Sequence, residues 1–300
     1  MDLTDYQSDA DGIIAVLVLY NTRLEDSITF TSLRNSLKKN NLRMDILVYD
    51  NSPTPMVTES DFISDNWRIH YVHDKTNPGV SKAYNEGLGI ARKLNKKWLL
   101  LLDQDTSFPQ NAVVEYSKAI QENPDIYLLA PIVISINKII SPCRYFLNKG
   151  YCLRKVNPGV YNFHAKSLIN SGMLINVEAF ETAGGYNENV RLDFSDRFFI
   201  SKYKTKYRNF SVINLRCFQN FSGTQRLTLE SALARFAYYC EGARNKAVNK
   251  VDYLTLMLVT ALRTVKLSLK YMNFRFFVIF HEYFFCEKSR QERKMADNRL

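Results

Sequence analysis

No Cys-x-x-Cys pair occurs in the 300 residues, and the five cysteines (Cys143, Cys152, Cys217, Cys240 and Cys286) are odd in number and scattered. That spacing excludes a zinc ribbon and argues against a disulfide framework, so a reducing compartment is expected. Histidine is scarce, at four residues. His70 and His73 stand three apart in a strand-like run, which turns them to opposite faces and keeps them from sharing a metal. No apolar run reaches eighteen residues. The nearest candidate, Phe274–Phe285, is broken by Arg275, His281 and Glu282 and is too short for a bilayer core of about 30 Å. The first twelve positions hold four aspartates and no basic residue, the wrong charge for a secretory leader, so a cytoplasmic location is expected. There is no GxSxG elbow, and Gly87 and Gly89 fall late in a helical pattern where they cannot begin a dinucleotide fingerprint.

What is present describes a folded globular chain: 46% hydrophobic, 13% aromatic and 23% charged residues, well outside disordered or collagen-like compositions. The net charge of +10 calls for an anionic partner such as a phosphate or a lipid surface. IIAVLVLY at Ile13–Tyr20 is apolar throughout and β-branched, as in a strand covered on both faces of a parallel sheet. Strands are likewise expected over Met44–Tyr49, Arg68–Val72, Lys97–Leu102 and Ile126–Ile136. Helices are expected after Thr22 and Glu25, read as a capping box, over Gly79–Lys93, and from Pro109 to Ile120. The alternation predicts an α/β fold whose mainly parallel sheet has helices on both faces, with the ligand beyond the carboxyl ends of the strands.

After about residue 225 the pattern changes to two long helices, Leu227–Asn249 and Val251–Met272, followed by a Phe/Tyr-rich stretch. Residues 241–300 hold twelve basic and six acidic side chains, more than half of the excess positive charge. The division expected is therefore a catalytic domain over 1–225 and a helical, basic and aromatic extension over 226–300. Two readings of that extension stand: a peripheral contact with the inner face of a cell membrane, or a packing arm whose charges face water. No recognised nucleic-acid module is present, which disfavours a non-catalytic basic binding protein.

Asp103-Gln104-Asp105 follows four leucines. Two carboxylates at a strand end can address one hard divalent cation, Mg²⁺ or Mn²⁺, which in turn binds diphosphate; a solvated turn is the bland alternative. Together with VLVLYN (16–21), VYDNS (48–52), NPGVSKAYNEG (77–87), LLLLDQDT (99–106), NSGMLIN (170–176) and GGYNENVRLDFSD (184–196), the triplet resembles the ordered motifs of family 2 inverting glycosyltransferases, and its DQDT form resembles bacterial rhamnosyltransferases of that family. The resemblance covers about residues 13–225.

That resemblance implies a GT-A fold and a nucleoside-diphosphate sugar donor, dTDP-rhamnose in first place and a UDP-hexose as the alternative, with a glycan or lipid-linked acceptor in surface polysaccharide synthesis. It places the nucleotide at Tyr20, Asn21 and Asp50, where a carboxylate could accept a base imide N–H or merely form a turn. Gly79, Lys82 and Asn85 fall where a helix start meets the diphosphate, although Lys82 is equally well a surface lysine. Asp103, Gln104 and Asp105 hold donor and metal. Asp196 is the general base, with Asp193 one turn earlier if the segment is helical, orienting hydroxyls; as helix-start acids the two would simply complement the dipole. Many relatives carry a metal-binding histidine where this sequence has Asn220, which leaves metal dependence open, and Asn187 replaces a usual aspartate.

Overall fold

The computed structural model describes residues 3–63, 65–219 and 228–286. In chain order the elements are α1 (Leu3–Asp11), β1 (Ile13–Leu19), α2 (Ile28–Lys39), β2 (Met44–Asp50), β3 (Trp67–His73), α3 (Val80–Lys93), β4 (Trp98–Leu102), β5 (Thr106–Ser107), α4 (Ala112–Glu122), β6 (Leu128–Ser135), β7 (Lys138–Phe146), β8 (Lys149–Leu153), β9 (Gly159–Asn162), β10 (Lys166–Ser167), β11 (Met173–Asn176), α5 (Val177–Thr182), α6 (Ser195–Tyr203), β12 (Asn209–Gln219), α7 (Leu229–Lys246), α8 (Lys250–Tyr271) and α9 (Arg275–Phe280). By their contacts the described residues form two units, 3–188 with 195–219, and 189–194 with 228–286. The short segment 189–194 thus falls with the second unit, across the boundary expected near 225.

In the first unit β4-β1-β2-β3 run parallel, in that order. β11 joins the sheet antiparallel between β4 and β6, and β12 lies parallel to β6. Every residue of β1 is buried, because successive side chains alternate between two cores. Ile14, Val16 and Val18 pack with α3, α5 and α6, whereas Ile13, Ala15, Leu17 and Leu19 pack with α1, α2 and α4. Helices therefore cover both faces, as the alternation predicts. On the first face the fit is close: a Cβ on Gly87 would stand 2.4 Å from Val16 Cγ2, so only glycine lets α3 approach β1 this nearly.

Several local expectations are corrected. Ser27, not Thr22, caps α2, its hydroxyl accepting from Phe30 N; Thr22 instead meets Gln104, and a short 3₁₀ turn occupies Leu24–Asp26. The acidic N-terminal segment is helical (α1), and β7–β10 add antiparallel strands that the sequence reading did not separate. At the opposite edge of the sheet from the strand carboxyl ends, buried Asp45 accepts from Lys96 at 2.5 Å, Arg68 at 2.7 Å and His70 at 2.9 Å. Burial opposes its ionisation, yet these donors outweigh that cost and hold the Asp45 carboxyl well below the usual carboxylate range. His73 meets Ser52 O instead, so the two histidines have separate partners.

The second unit has its own core, in which Val190 and Phe194 pack with Leu233, Phe236, Cys240, Leu256, Phe276 and Phe284.

Candidate active site

The site is assembled at the carboxyl ends of the parallel strands, and its loops are tied to one another by side chains. Gln104 joins two of them. Its Oε1 accepts from Tyr20 N at 2.8 Å, and its Nε2 donates to Thr22 Oγ1 at 2.8 Å and to Tyr20 O at 3.3 Å. Asn21 adopts a left-handed backbone (φ 51°) that asparagine tolerates, and its N–H donates to Ser52 Oγ at 2.8 Å. Asp50 is fully buried; its carboxylate accepts from Ser52 N at 2.9 Å, Met56 N at 2.7 Å and the Tyr71 hydroxyl at 2.8 Å. Both Asp50 oxygens thus accept hydrogen bonds that shape the loop after β2. Tyr20, at 47% exposure, is the residue of this group that presents its ring outward.

At the start of α3, Gly79 (φ 92°) turns the chain into the helix. Lys82 pairs with Glu86 at 3.1 Å and Glu188 at 3.8 Å, so in this state its charge is already balanced by carboxylates. Asn85 makes a two-point clamp on the GGY segment: its Oδ1 accepts from Tyr186 N at 2.9 Å and its Nδ2 donates to Tyr186 O at 3.0 Å. A side chain read from the motif as a diphosphate neighbour is thus occupied in fixing one motif against another.

Asp103 and Asp105 do lie together. Gln219, at the end of β12, donates through Nε2 to Asp103 Oδ2 and, at 3.2 Å, to Asp105 Oδ1. Ser171 Oγ donates to Asp103 Oδ2, and Thr106 Oγ1 donates to Oδ1 at 2.6 Å. Removal from water and the adjacent Asp105 charge push the Asp103 carboxyl up to about 7, against the opposing pull of the Ser171 and Thr106 hydrogen bonds. Gln219 Oε1 is buried with no hydrogen-bond partner among the described residues. Two adjacent carboxylates, with a Gln219 amide that would turn its Oε1 toward them in place of Nε2, make a hard-oxygen donor set that fits Mg²⁺ or Mn²⁺. Among the described residues no group of three or more His, Cys, Asp or Glu side chains is placed to hold a metal ion, so a cation here would rely on this mixed set. Asn220 lies outside the described residues.

A hydrogen-bonded path connects this pair to α6. Ser171 is followed by Gly172, whose N–H bonds Leu101 O at 2.9 Å, and preceded by Asn170, which accepts from the Tyr186 hydroxyl at 2.6 Å and donates to Ser195 Oγ at 3.4 Å. Ser195 begins α6 and Asp196 is its next residue. Tyr84 is fully enclosed and donates to Leu102 O at 3.4 Å. Burial first, and then the negative charges of both Asp103 and Asp196, hold its phenol well above the ordinary range. One buried side chain therefore feels the carboxylates of the DQD loop and of the α6 start, although 93 residues separate them in the chain. The Asp196 Oδ1 accepts from Arg197 N at 2.6 Å, and the Arg197 guanidinium reaches the β7–β8 turn, over the Tyr145 ring at 5.7 Å and toward Asn148 O at 3.3 Å.

Comparison with known proteins bears on the family and the fold. Residues 15–183 match the model of glycosyl transferase family 2. The chain belongs to that family. It is 25% identical over 191 residues to the dTDP-rhamnosyl transferase RfbF of Shigella flexneri, covering 62% of this chain and 60% of that protein's own length. Among solved structures, S. aureus TarS 1-349 in complex with UDP superposes with a TM-score of 0.52 at 14% identity, over 90% of each chain. GalNAc-T7 with UDP, GalNAc and Mn²⁺ gives a TM-score of 0.50 at 12% identity, over 90% of this chain and 56% of that one. The fold is accordingly the GT-A type of α/β architecture.

Within that frame, Asp193 departs from expectation. It is not one helical turn before Asp196, because Phe194 adopts φ 72° and breaks the segment before α6 begins. Asp193 falls in the second unit, with its carboxylate 3.9 Å from Arg235. Ser171, Gln219 and Tyr84 received no role from the sequence. Gln219 could have been found by the rule that singled out the other strand ends, since it terminates β12; Ser171 lay in a quoted motif without a partner to give it meaning.

Proposed function

We propose that the protein is an inverting glycosyltransferase that moves a sugar, rhamnose in first place, from a nucleoside-diphosphate donor to a hydroxyl of a glycan or lipid-linked acceptor, at the cytoplasmic face of a bacterium building surface polysaccharide. The observation that carries this reading is the short path from Asp103 through its Ser171 hydrogen bond and the neighbouring Asn170 to Ser195, the residue before Asp196 at the start of α6, which supports a single site with a diphosphate end and a proton-accepting end. The similarity to a dTDP-rhamnosyl transferase supports rhamnose; a UDP-hexose remains the competing donor.

Asp196, at the first turn of α6, takes the proton of the acceptor hydroxyl as that oxygen bonds the anomeric carbon and the bond from that carbon to the diphosphate oxygen breaks on the opposite face. The backbone N–H of Arg197 steadies its carboxylate. Asp103, Asp105 and Gln219 would hold a divalent cation, which when bound supplies positive charge to the leaving diphosphate. Gln104 and Asp50 hold the loops that receive the nucleotide, and the Tyr20 ring offers a face for the base.

Calorimetric titration with dTDP-rhamnose, UDP-glucose and UDP-galactose, each with and without Mg²⁺, followed by turnover assays of the donor that binds, tests the reading. Asp196→Asn is expected to bind donor as the wild type does and to lose roughly two orders of magnitude or more in turnover. Wild-type turnover in that variant removes the base assignment, and tightest binding of a UDP-hexose replaces rhamnose.

A further inference from the structure

Helix α8 faces the wrong way for a helix bathed in water. Its inner side buries Leu256 together with Thr260, Thr264 and Ser268, and the Thr260 and Ser268 hydroxyl oxygens have no hydrogen-bond partner among the described residues. Its outer side carries Val251, Leu254, Leu258, Leu262, Val265 and Leu269, all exposed, with Leu262 at 72% and Leu269 at 69%. At 3.6 residues per turn these six fall within about 80° of the helix circumference and extend for about 27 Å. Tyr253, Met257, Leu267 and Tyr271 also pack inward with Leu256 against the core, so the helix is apolar on both sides and its outer aliphatic stripe is left uncovered.

The Phe/Tyr-rich segment that follows does not supply this surface. Phe276 and Phe284 are fully buried in the core of the second unit, whereas Phe274 and Val278 are exposed near the end of the stripe. Residues 287–300, EKSRQERKMADNRL, contain no apolar run. Charge then separates the remaining occupants. Lys266 and Lys270 are exposed along one shoulder of the stripe. The single acid of α8, Asp252, is engaged at the helix cap, its N–H donating to Asn249 Oδ1 at 2.8 Å and its carboxylate accepting from Asn249 Nδ2 at 3.3 Å. A second copy laid stripe to stripe would therefore bring lysines with no carboxylate on that helix to meet them, whereas an anionic lipid surface offers phosphates at the edge of a hydrocarbon layer. Among the described residues no helix is long and apolar enough to cross a membrane, which leaves a helix lying in the interface plane.

We infer that the outer face of α8 is a docking surface for an anionic bilayer, with the aliphatic stripe sunk to the level of the acyl chains and Lys266 and Lys270 at the headgroups. This inference gives the membrane contact a definite element, aliphatic rather than aromatic, and rests on nothing in the transferase reading.

Flotation of the full-length protein with vesicles of phosphatidylcholine and phosphatidylglycerol, against pure phosphatidylcholine, tests it. Wild type is expected to float with anionic vesicles. Leu258→Gln/Leu262→Gln/Leu269→Gln, which changes only exposed positions, is expected to bind about a hundredfold more weakly. Lys266→Gln/Lys270→Gln is expected to lose about tenfold or more on anionic vesicles and little on neutral ones. Circular dichroism melts and light scattering on each variant verify fold and oligomeric state. Wild type that stays unbound, or a folded triple glutamine variant that floats like wild type, overturns the inference. So does a wild-type dimer that this variant dissociates while vesicle binding is unchanged, which would assign the stripe to a second copy. Donor turnover is read separately, so loss of docking with normal turnover leaves the transferase reading intact.

Discussion

Gly172 is the point at which backbone conformation, core packing and the site meet, and replacing it with alanine gives a loss whose size can be worked from the structure. Its φ of 78° lies in the left-handed region, which costs a residue with a Cβ about 1–2 kcal/mol. The added methyl would stand 2.8 Å from Pro131 Cγ, 2.9 Å from the Tyr116 hydroxyl and 3.2 Å from Phe108 Cε1. None of these is a flexible chain end: a proline ring cannot rotate away, and the Tyr116 hydroxyl is held at 2.6 Å by Gly172 O. Overpacking of this kind costs about 1–3 kcal/mol, so Gly172→Ala is expected to lower stability by about 2–5 kcal/mol. Both tryptophans of the chain, Trp67 and Trp98, are buried in the first unit, so tryptophan fluorescence during urea unfolding reads that unit specifically. In the Tyr116→Phe background part of the clash is removed, and the two losses should sum to less than their separate values. Because Ser171 precedes this residue and holds Asp103, turnover should fall with stability. A Gly172→Ala protein within about 0.5 kcal/mol of wild type, with additive behaviour in the double variant, would refute the reasoning.

Two further outcomes follow from other clusters. Asp45→Asn leaves Lys96 buried without a carboxylate and should cost about 3 kcal/mol at pH 7; because the native carboxyl is depressed, the wild-type advantage is complete above the ordinary carboxylate value of about 3.9 and is lost as pH falls below it. Unfolding curves at pH 7 and pH 3 that show the same gap would contradict this. Gln219→Leu removes an amide shared by Asp103 and Asp105, and Mn²⁺ affinity measured by calorimetry should drop about tenfold or more, an unchanged affinity excluding Gln219 from the cation site.

The sequence alone was sufficient for the parallel half of the sheet. Burial on both faces requires an unbroken apolar run, and Ile13–Leu19 and Trp98–Leu102 are such runs; glycine and the left-handed asparagines likewise mark where the chain must turn at their ends. The places of Asp103 and Asp105 beyond a strand, and of Asp196 in the first turn of a helix, were legible too, because an apolar run and a helix start are written in neighbouring residues. Partner choice was not legible. Asp50, Asn85 and Gln104 all have the chemistry of ligand contacts, yet in the fold each is occupied in holding a loop, Asp193 falls on the far side of a backbone break from Asp196, and Gln219 became part of the acid pair only when β12 aligned beside β6. A polar side chain takes whichever donor or acceptor lies within about 3 Å, and which atoms lie there is decided by residues tens of positions away. The same reason applies to α8: its sequence marks a long helix with apolar residues on more than one side, and only the tertiary structure decided that Leu256, Thr260 and Thr264 would face the core and Leu254, Leu258, Leu262 and Leu269 would lie outside.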